Sequence, residues 1–401
     1  MSVTVFEASG SAGGVIRSSG TGEHVREYGP QRLRLTPSLS ELVARLGLHD
    51  TMLRAPDDAP IYMVRGGSCQ AIPRSIRALW TTPLLSPTGR LRVMLEPLTR
   101  SVKPGETVAA ALSRKFGDEA YRVIFGPLFG GLYGSDPSSM RAADSLSGFV
   151  ARAGFPRSLL LHALRPAAAG RAPAAISFRN GLGELPDALA RSLGGDLLLE
   201  CPVMSMARTD AGWVLDAGGS EHGPFDHVML AVPADAASHA LQFVAPEAAD
   251  RLADLAYNRL AIVHLRADGS PIPGFGYQVA FGEPQETRGV TFNDWLFDRK
   301  GIVTAFLGGA GNPQLPDWPD DRIAAIAESE FQQITGRSAE ALEVSRPRMP
   351  AFDESWKALD GLELPVGVSL CAGYMGRPGV TGRLAQAEHM AMKLAGQATI
   401  S

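Results

Sequence analysis

The sequence is poor in the residues that announce common chemistries. Its 401 residues hold three cysteines, Cys69, Cys201 and Cys371, an odd number, far apart and with no C-x-x-C. That argues against a disulfide framework or a cysteine zinc site and suits a reduced, cytoplasmic compartment. The eight histidines show no H-x-x-x-H or H-x-H spacing, so no protein-bound metal is expected. No apolar run approaches the roughly 20 residues that span a bilayer. Glu7 comes too early, with no basic stretch before it, for a signal peptide. Peripheral contact with the inner face of the cell membrane stays open. A net charge of −4 gives no basic field, so nucleic acid is not an expected partner. Nor is there a G-x-G-x-x-G turn anywhere in the chain.

What is present is globular: 45% hydrophobic and 20% charged, long enough for two or three domains and a sizeable core. Ser2-Val-Thr-Val-Phe-Glu7 reads as a short strand ending on an acid, and Ala8-Ser-Gly-Ser-Ala-Gly13-Gly14 as a loop whose backbone is open to a ligand. In a dinucleotide-binding sheet an acid in that place takes ribose hydroxyls. The strand, turn and helix that would precede it are not in these residues. The expectation is a functional chain starting roughly 25–30 residues upstream.

Further on, Tyr28-Gly-Pro-Gln-Arg-Leu-Arg34 reads as a turn and an extended piece with both arginines on one face, either a solvated basic edge or an anion clamp. The pattern predicts a helix over Pro37–Leu53 capped by Ser38 or Ser40, and a hairpin over 61–73 turning at Gly66-Gly67. Successive short helices follow to about Leu164. Four glycines and two prolines between Phe125 and Arg141 argue against a long helix there, with Asp136 capping a new one at Pro137. That stretch is either a close helix crossing or backbone held against a flat ligand. Thr81–Pro87 and Gly154–Arg165 mix apolar residues with flanking arginines, as ordinary helix contacts or a membrane-facing surface.

A strand, glycine turn and helix follow over 176–193, then a strand over Leu197–Val203 and a meander. The buried run His227–Val232 suits the parallel sheet that Glu7 opens. Strands at 260–266, 276–280, 289–293 and 301–307 form an antiparallel sheet under a helix at 320–335. Finally, strand 366–371, a glycine-rich loop and a helix at 383–395 make an anion-binding device. The fold class is α/β.

These pieces, in this order, resemble the flavin-dependent amine-oxidase superfamily and, within it, the protoporphyrinogen oxidase family, over nearly the whole chain. The resemblance is carried by Glu7 with Gly13-Gly14, Tyr28–Arg34, Phe129-Gly-Gly-Leu-Tyr-Gly-Ser-Asp-Pro137, Gly181–Leu189, Cys201-Pro-Val203, Asp268–Tyr277 with Gly289-Val-Thr-Phe292, and Ala372–Val380. The last run departs from the family pattern in having Tyr374 where an asparagine is common.

The resemblance implies FAD as cofactor and a porphyrinogen as substrate, with dioxygen or a quinone as acceptor. It implies an N-terminally truncated, Rossmann-like FAD-binding domain (1–56, 174–236 and 366–401). An inserted antiparallel-sheet substrate domain (57–73 and 237–365) and a helical domain (74–173), either packed by ordinary helix contacts or membrane-associated, complete the organisation. It implies cofactor contacts from Glu7, Gly13, Gly14, Arg17, Gly29, Pro30, Val203, Gly373, Gly379 and Val380, and a substrate carboxylate on Arg34. No general base is assigned, because the flavin carries the redox chemistry. Other superfamily oxidoreductases, such as an amine oxidase or a carotenoid desaturase, and a flavin-free tetrapyrrole-binding relic are the alternatives.

Overall fold

The structure is a computed structural model and describes residues 2–103, 105–145, 158–164, 173–375 and 379–398. Strand Val5–Phe6 pairs in parallel with Leu197–Leu198, and Val228–Leu230 pairs in parallel with Val368–Leu370. Among the described residues these remain two separate pairs, not the single sheet expected from the sequence. The expected strand over Leu197–Val203 is also broken. Glu200, at φ 52°, turns the chain after Leu198, and Val203–Thr209 starts a three-stranded antiparallel sheet with Gly212–Ala217 and Ser220–Phe225.

The large sheet has eight strands. In order they are Ala339–Ser345, Tyr257–Ala267, Ile302–Gly308, Thr287–Thr291, Gly276–Val279, Ile61–Arg65 and Ser68–Ala71, with Arg348–Pro350 also on Tyr257–Ala267. The hairpin turns at Gly66 and Gly67, both at positive φ, as a two-residue connection requires. Its first strand lies parallel to Gly276–Val279. Helix Asp320–Thr335 covers the sheet with Ile323, Ala327 and Phe331, a four-residue spacing that lines one face. Burying the Ile and Phe contributes about 1.5–3 kcal/mol each.

Helix Pro37–Arg45 is shorter than expected. Thr36, not a serine, caps it by accepting the Leu39 amide, and Pro37 fills the first turn. Gly47 at φ 69° ends that region, and Met52–Arg54 is a strand against Ala175–Phe178. The glycine-rich segment departs further from expectation. Asp118–Tyr133 is helical almost throughout, with a wider π turn over Tyr121–Phe125. Its glycines serve close packing on the sheet: a Cβ at Gly126 would lie 2.5 Å from the Phe281 ring, and one at Gly131 2.3 Å from Gln278 Oε1. Asp136 caps no helix. Its carboxylate accepts the Ser138 amide in a local turn, and the next helix begins at Ala142. Of Gly154–Arg165, only 158–164 lie within the described residues.

Candidate functional site

The backbone of Glu7 is fixed on both sides, its amide donating to Leu198 and its carbonyl accepting from Cys201, each at 2.9 Å. The half-buried carboxylate takes the Ser9 amide at 2.9 Å and the Ser9 hydroxyl at 2.7 Å. Because Glu200 also ties back to Ser9, Val203 follows only a few residues beyond this junction.

The glycine loop then tucks beneath helix Glu184–Leu193. A Cβ on Gly13, at φ 115°, would come within 2.9 Å of Pro186 and 2.7 Å of the Ile16 carbonyl. Only glycine fits there. Gly14 is the opposite case: a Cβ would meet nothing within 4 Å, and its amide has no acceptor among the described residues. The turn at Gly29 presses on the same loop so closely that a Cβ would lie 2.0 Å from the Val15 carbonyl. Tyr28 donates its amide to Arg17, whose guanidinium stands 4.7 Å above the Tyr28 ring. Pro30 follows directly.

At the other end of the chain, Gly373 and Gly379 also leave their Cα faces open, with nothing within 4 Å of a Cβ. Arg383 anchors this loop by donating to the Ala372 carbonyl and to Gln386. Val380 and Leu384 pack in the same apolar cluster as Ile16, Leu33, Leu39 and Leu185. Thus Ile16, with Gly29 pressed on its neighbour Val15, and Val380 come together around one cluster, while Glu7 sits at the strand junction with Leu198 and Cys201. Open backbone at Gly14, Gly373 and Gly379, together with a carboxylate at the end of a parallel strand, is the donor set that suits a ligand offering hydroxyls and phosphate oxygens. The set therefore fits a flavin dinucleotide.

Arg34 lies apart from that cluster. Leu33 points into it, while Arg32 and Arg34 alternate to the opposite side, over the Phe275 ring at 4.7 and 5.8 Å. Arg34 is exposed and donates to the Pro173 carbonyl at 3.2 Å.

The sequence reading missed the buried network behind Tyr28. Glu27 pairs with Arg299 at 3.0 Å, both 1% exposed, and accepts the Ser18 hydroxyl and the Leu182 amide. The Glu27 carbonyl accepts from Gln31 and is 3.0 Å from His264 Nε2. Gln31 in turn receives Asn293 at 2.8 Å. Burial holds the His264 imidazole below its ordinary pKa, so it stays neutral. The Tyr28 hydroxyl donates to Glu343 at 2.6 Å, and burial together with that bond pushes its pKa up. Apart from Gln31 and Ser18, these partners are more than 150 residues away in sequence, so no local motif could have signalled them.

The description "flavin containing amine oxidoreductase" belongs to the family model that matches residues 1–356. Protoporphyrinogen oxidase 2, chloroplastic/mitochondrial, of Arabidopsis thaliana is 23% identical, over 90% of this chain and 83% of that one. Human protoporphyrinogen oxidase is 26% identical, over 87% and 80%. Among solved structures, a protein of Exiguobacterium sp. 255-15, named provisionally as a protoporphyrinogen oxidase, superposes with TM-score 0.80 at 21% identity, over 98% of this chain and 92% of that one. A redesigned putrescine oxidase gives 0.72 at 17%, over 99% and 94%. These likenesses show the fold.

Proposed function

This chain belongs to the flavin-containing amine oxidoreductase family and is an FAD-dependent oxidoreductase, and from that premise we propose that it oxidises protoporphyrinogen IX, or coproporphyrinogen III, to the porphyrin. The observation that carries the substrate is Arg34, an exposed guanidinium above Phe275 with no carboxylate partner among the described residues. Such a group suits a propionate, and the curated relatives named above support the choice.

In this reading Glu7 takes the ribose hydroxyls, and Gly13 and Gly14 let the cofactor reach the backbone. Val203 meets the adenine through its main chain. Gly373, Gly379 and Val380 offer amides to pyrophosphate and flavin, while Arg17, Gly29 and Pro30 wall the ring. FAD, when bound, supplies the acceptor for hydride. Arg34 fixes which edge of the macrocycle faces it, so orientation is this chain's main contribution to rate. The porphyrinogen loses hydrogen in successive two-electron steps, and dioxygen or a quinone takes the electrons.

The test is porphyrin fluorescence from purified, flavin-loaded protein given each porphyrinogen. Formation well above the autoxidation rate is expected with at least one. If both stay at the background rate, the proposal fails. Arg34→Ala should raise KM about 10- to 100-fold, matching the roughly 1.5–3 kcal/mol of a charged hydrogen bond, with flavin content unchanged.

No helix among the described residues is long and apolar enough to cross a membrane. Peripheral contact is supported by exposed Trp80, Leu91, Leu95, Leu98 and Leu161 beside exposed Arg77, Arg100 and Lys103. The protein should therefore float with phosphatidylglycerol-containing vesicles, and Trp80→Glu with Leu98→Glu should abolish flotation. Indifference to the double change would remove that surface from the account.

A further inference from the structure

Arg34 has a companion on the same face of its strand, Arg32. Arg32 is half-buried, stands closer to Phe275 than Arg34 does, and has no hydrogen bond or ion pair among the described residues. Two arginines buried more deeply than Arg32 are paired: Arg299 with Glu27, and Arg337 with Asp294. Holding two guanidinium groups over one ring without an anion is unfavourable, since each opposes the other's charge and burial strips its water. Burial, then the neighbouring Arg34, lowers the Arg32 pKa to about 10, which still leaves it charged at neutral pH.

The platform beneath is rigid. Phe275 is 9% exposed, packs with Ala55, Ala59, Leu296 and Phe297, and has its amide on the Pro60 carbonyl at 2.7 Å. The strand itself is fixed by Leu33 and Arg34 pairing with Ile176 and Ala175. Both forks are thus presented to one side at a set spacing. A guanidinium receives a planar carboxylate through two parallel bonds, and two adjacent forks match two carboxylates better than one.

We propose that Arg32 and Arg34 together form a seat for two carboxylates of one substrate molecule, with Arg32 determining preference for a substrate carrying both on one edge. The seat rests on its geometry. Only the identity of its bearer, a porphyrinogen with two neighbouring propionates, rests on the function proposed above.

Two binding experiments on the flavin-loaded protein separate these parts. The first measures thermal stabilisation by glutarate and by acetate at equal carboxylate concentration. Glutarate should stabilise more, and Arg32→Met or Arg34→Met should each erase the difference. Arg32→Lys, which keeps the charge without the fork, should keep part of it. Equal effects of the two acids, or an Arg32→Met protein that behaves like wild type, would overturn the seat. The second titrates protoporphyrin IX and its dimethyl ester by fluorescence. The free acid should bind about tenfold or more tightly than the ester, and Arg32→Met should remove most of that ratio. A seat selective for glutarate in a protein that binds neither porphyrin would uphold this proposal and sink the porphyrinogen reading. Porphyrin binding with no preference for the free acid would do the reverse.

Discussion

Glu27→Ala is expected to lower stability by about 3–5 kcal/mol, because it strands the Arg299 guanidinium in a site 1% exposed. Arg299 would keep one partner, the Ser177 hydroxyl at 2.6 Å, while its Nε and Nη1 already lack partners. The Ser18 hydroxyl and the Leu182 amide would also lose their acceptor. The loss should appear as a lower urea midpoint with an unchanged slope. Substituting both partners, Glu27→Leu with Arg299→Met, should recover much of it, since a packed apolar pair avoids the stranded charge. A single-substitution cost under about 1 kcal/mol would mean that the pair is not desolvated as the geometry implies.

The same change reaches the cofactor side. Glu27 directly precedes Tyr28-Gly29-Pro30, and its carboxylate joins that turn to the glycine turn at 181–183 and to the end of the large sheet at Arg299. Flavin retained through purification should therefore fall in Glu27→Ala and return in part in the double variant.

This network also marks how far the sequence could be read. The acid of Glu7, the glycine loop at Gly13-Gly14 and the alternation that puts Arg32 and Arg34 on one face are short-range patterns, and period and residue type suffice for them. The hairpin at Gly66-Gly67 and the face Ile323, Ala327 and Phe331 are legible for the same reason. Long-range pairing is not. Glu27 looks like any polar residue until Leu182 and Arg299 close on it. The helix Gly126–Tyr133 ran against composition: its glycines discourage a helix locally, yet the approach of Phe281 and Gln278 requires them. Likewise, the run Leu197–Val203 opens and closes on strand-forming residues, yet Pro202 cannot donate to a ladder and the bend at Glu200 goes with tertiary pairing to Ser9 and Glu7.

Glu96→Ala should be as costly as Glu27→Ala, about 3–5 kcal/mol, but with its consequences confined to the helical region. Glu96 and Lys115 are both 0% exposed and 2.7 Å apart. The carboxylate also accepts the Leu159 amide at 2.9 Å and the Leu160 amide at 3.2 Å, together with the Ser158 hydroxyl, so it caps helix Leu159–Leu164 from another part of the chain. Without it Lys115 keeps weaker bonds, such as that to Thr99 at 3.2 Å, and the first turn of that helix loses its acceptors. Hydrogen exchange at Leu159 and Leu160 should accelerate, whereas flavin content should not change. Burial alone would raise the Glu96 pKa, but Lys115, Ser158 and the Leu159 amide outweigh it and hold the carboxyl below its usual range. A depressed folded pKa means that the contribution is complete at neutral pH. It starts to fade near the unfolded value of about 4.3 and is gone below the folded one. The wild-type protein should accordingly lose stability more steeply than Glu96→Ala as the pH falls below that point. Parallel acid limbs in the two proteins would show that the Glu96 charge is not what holds Lys115 and the helix in place.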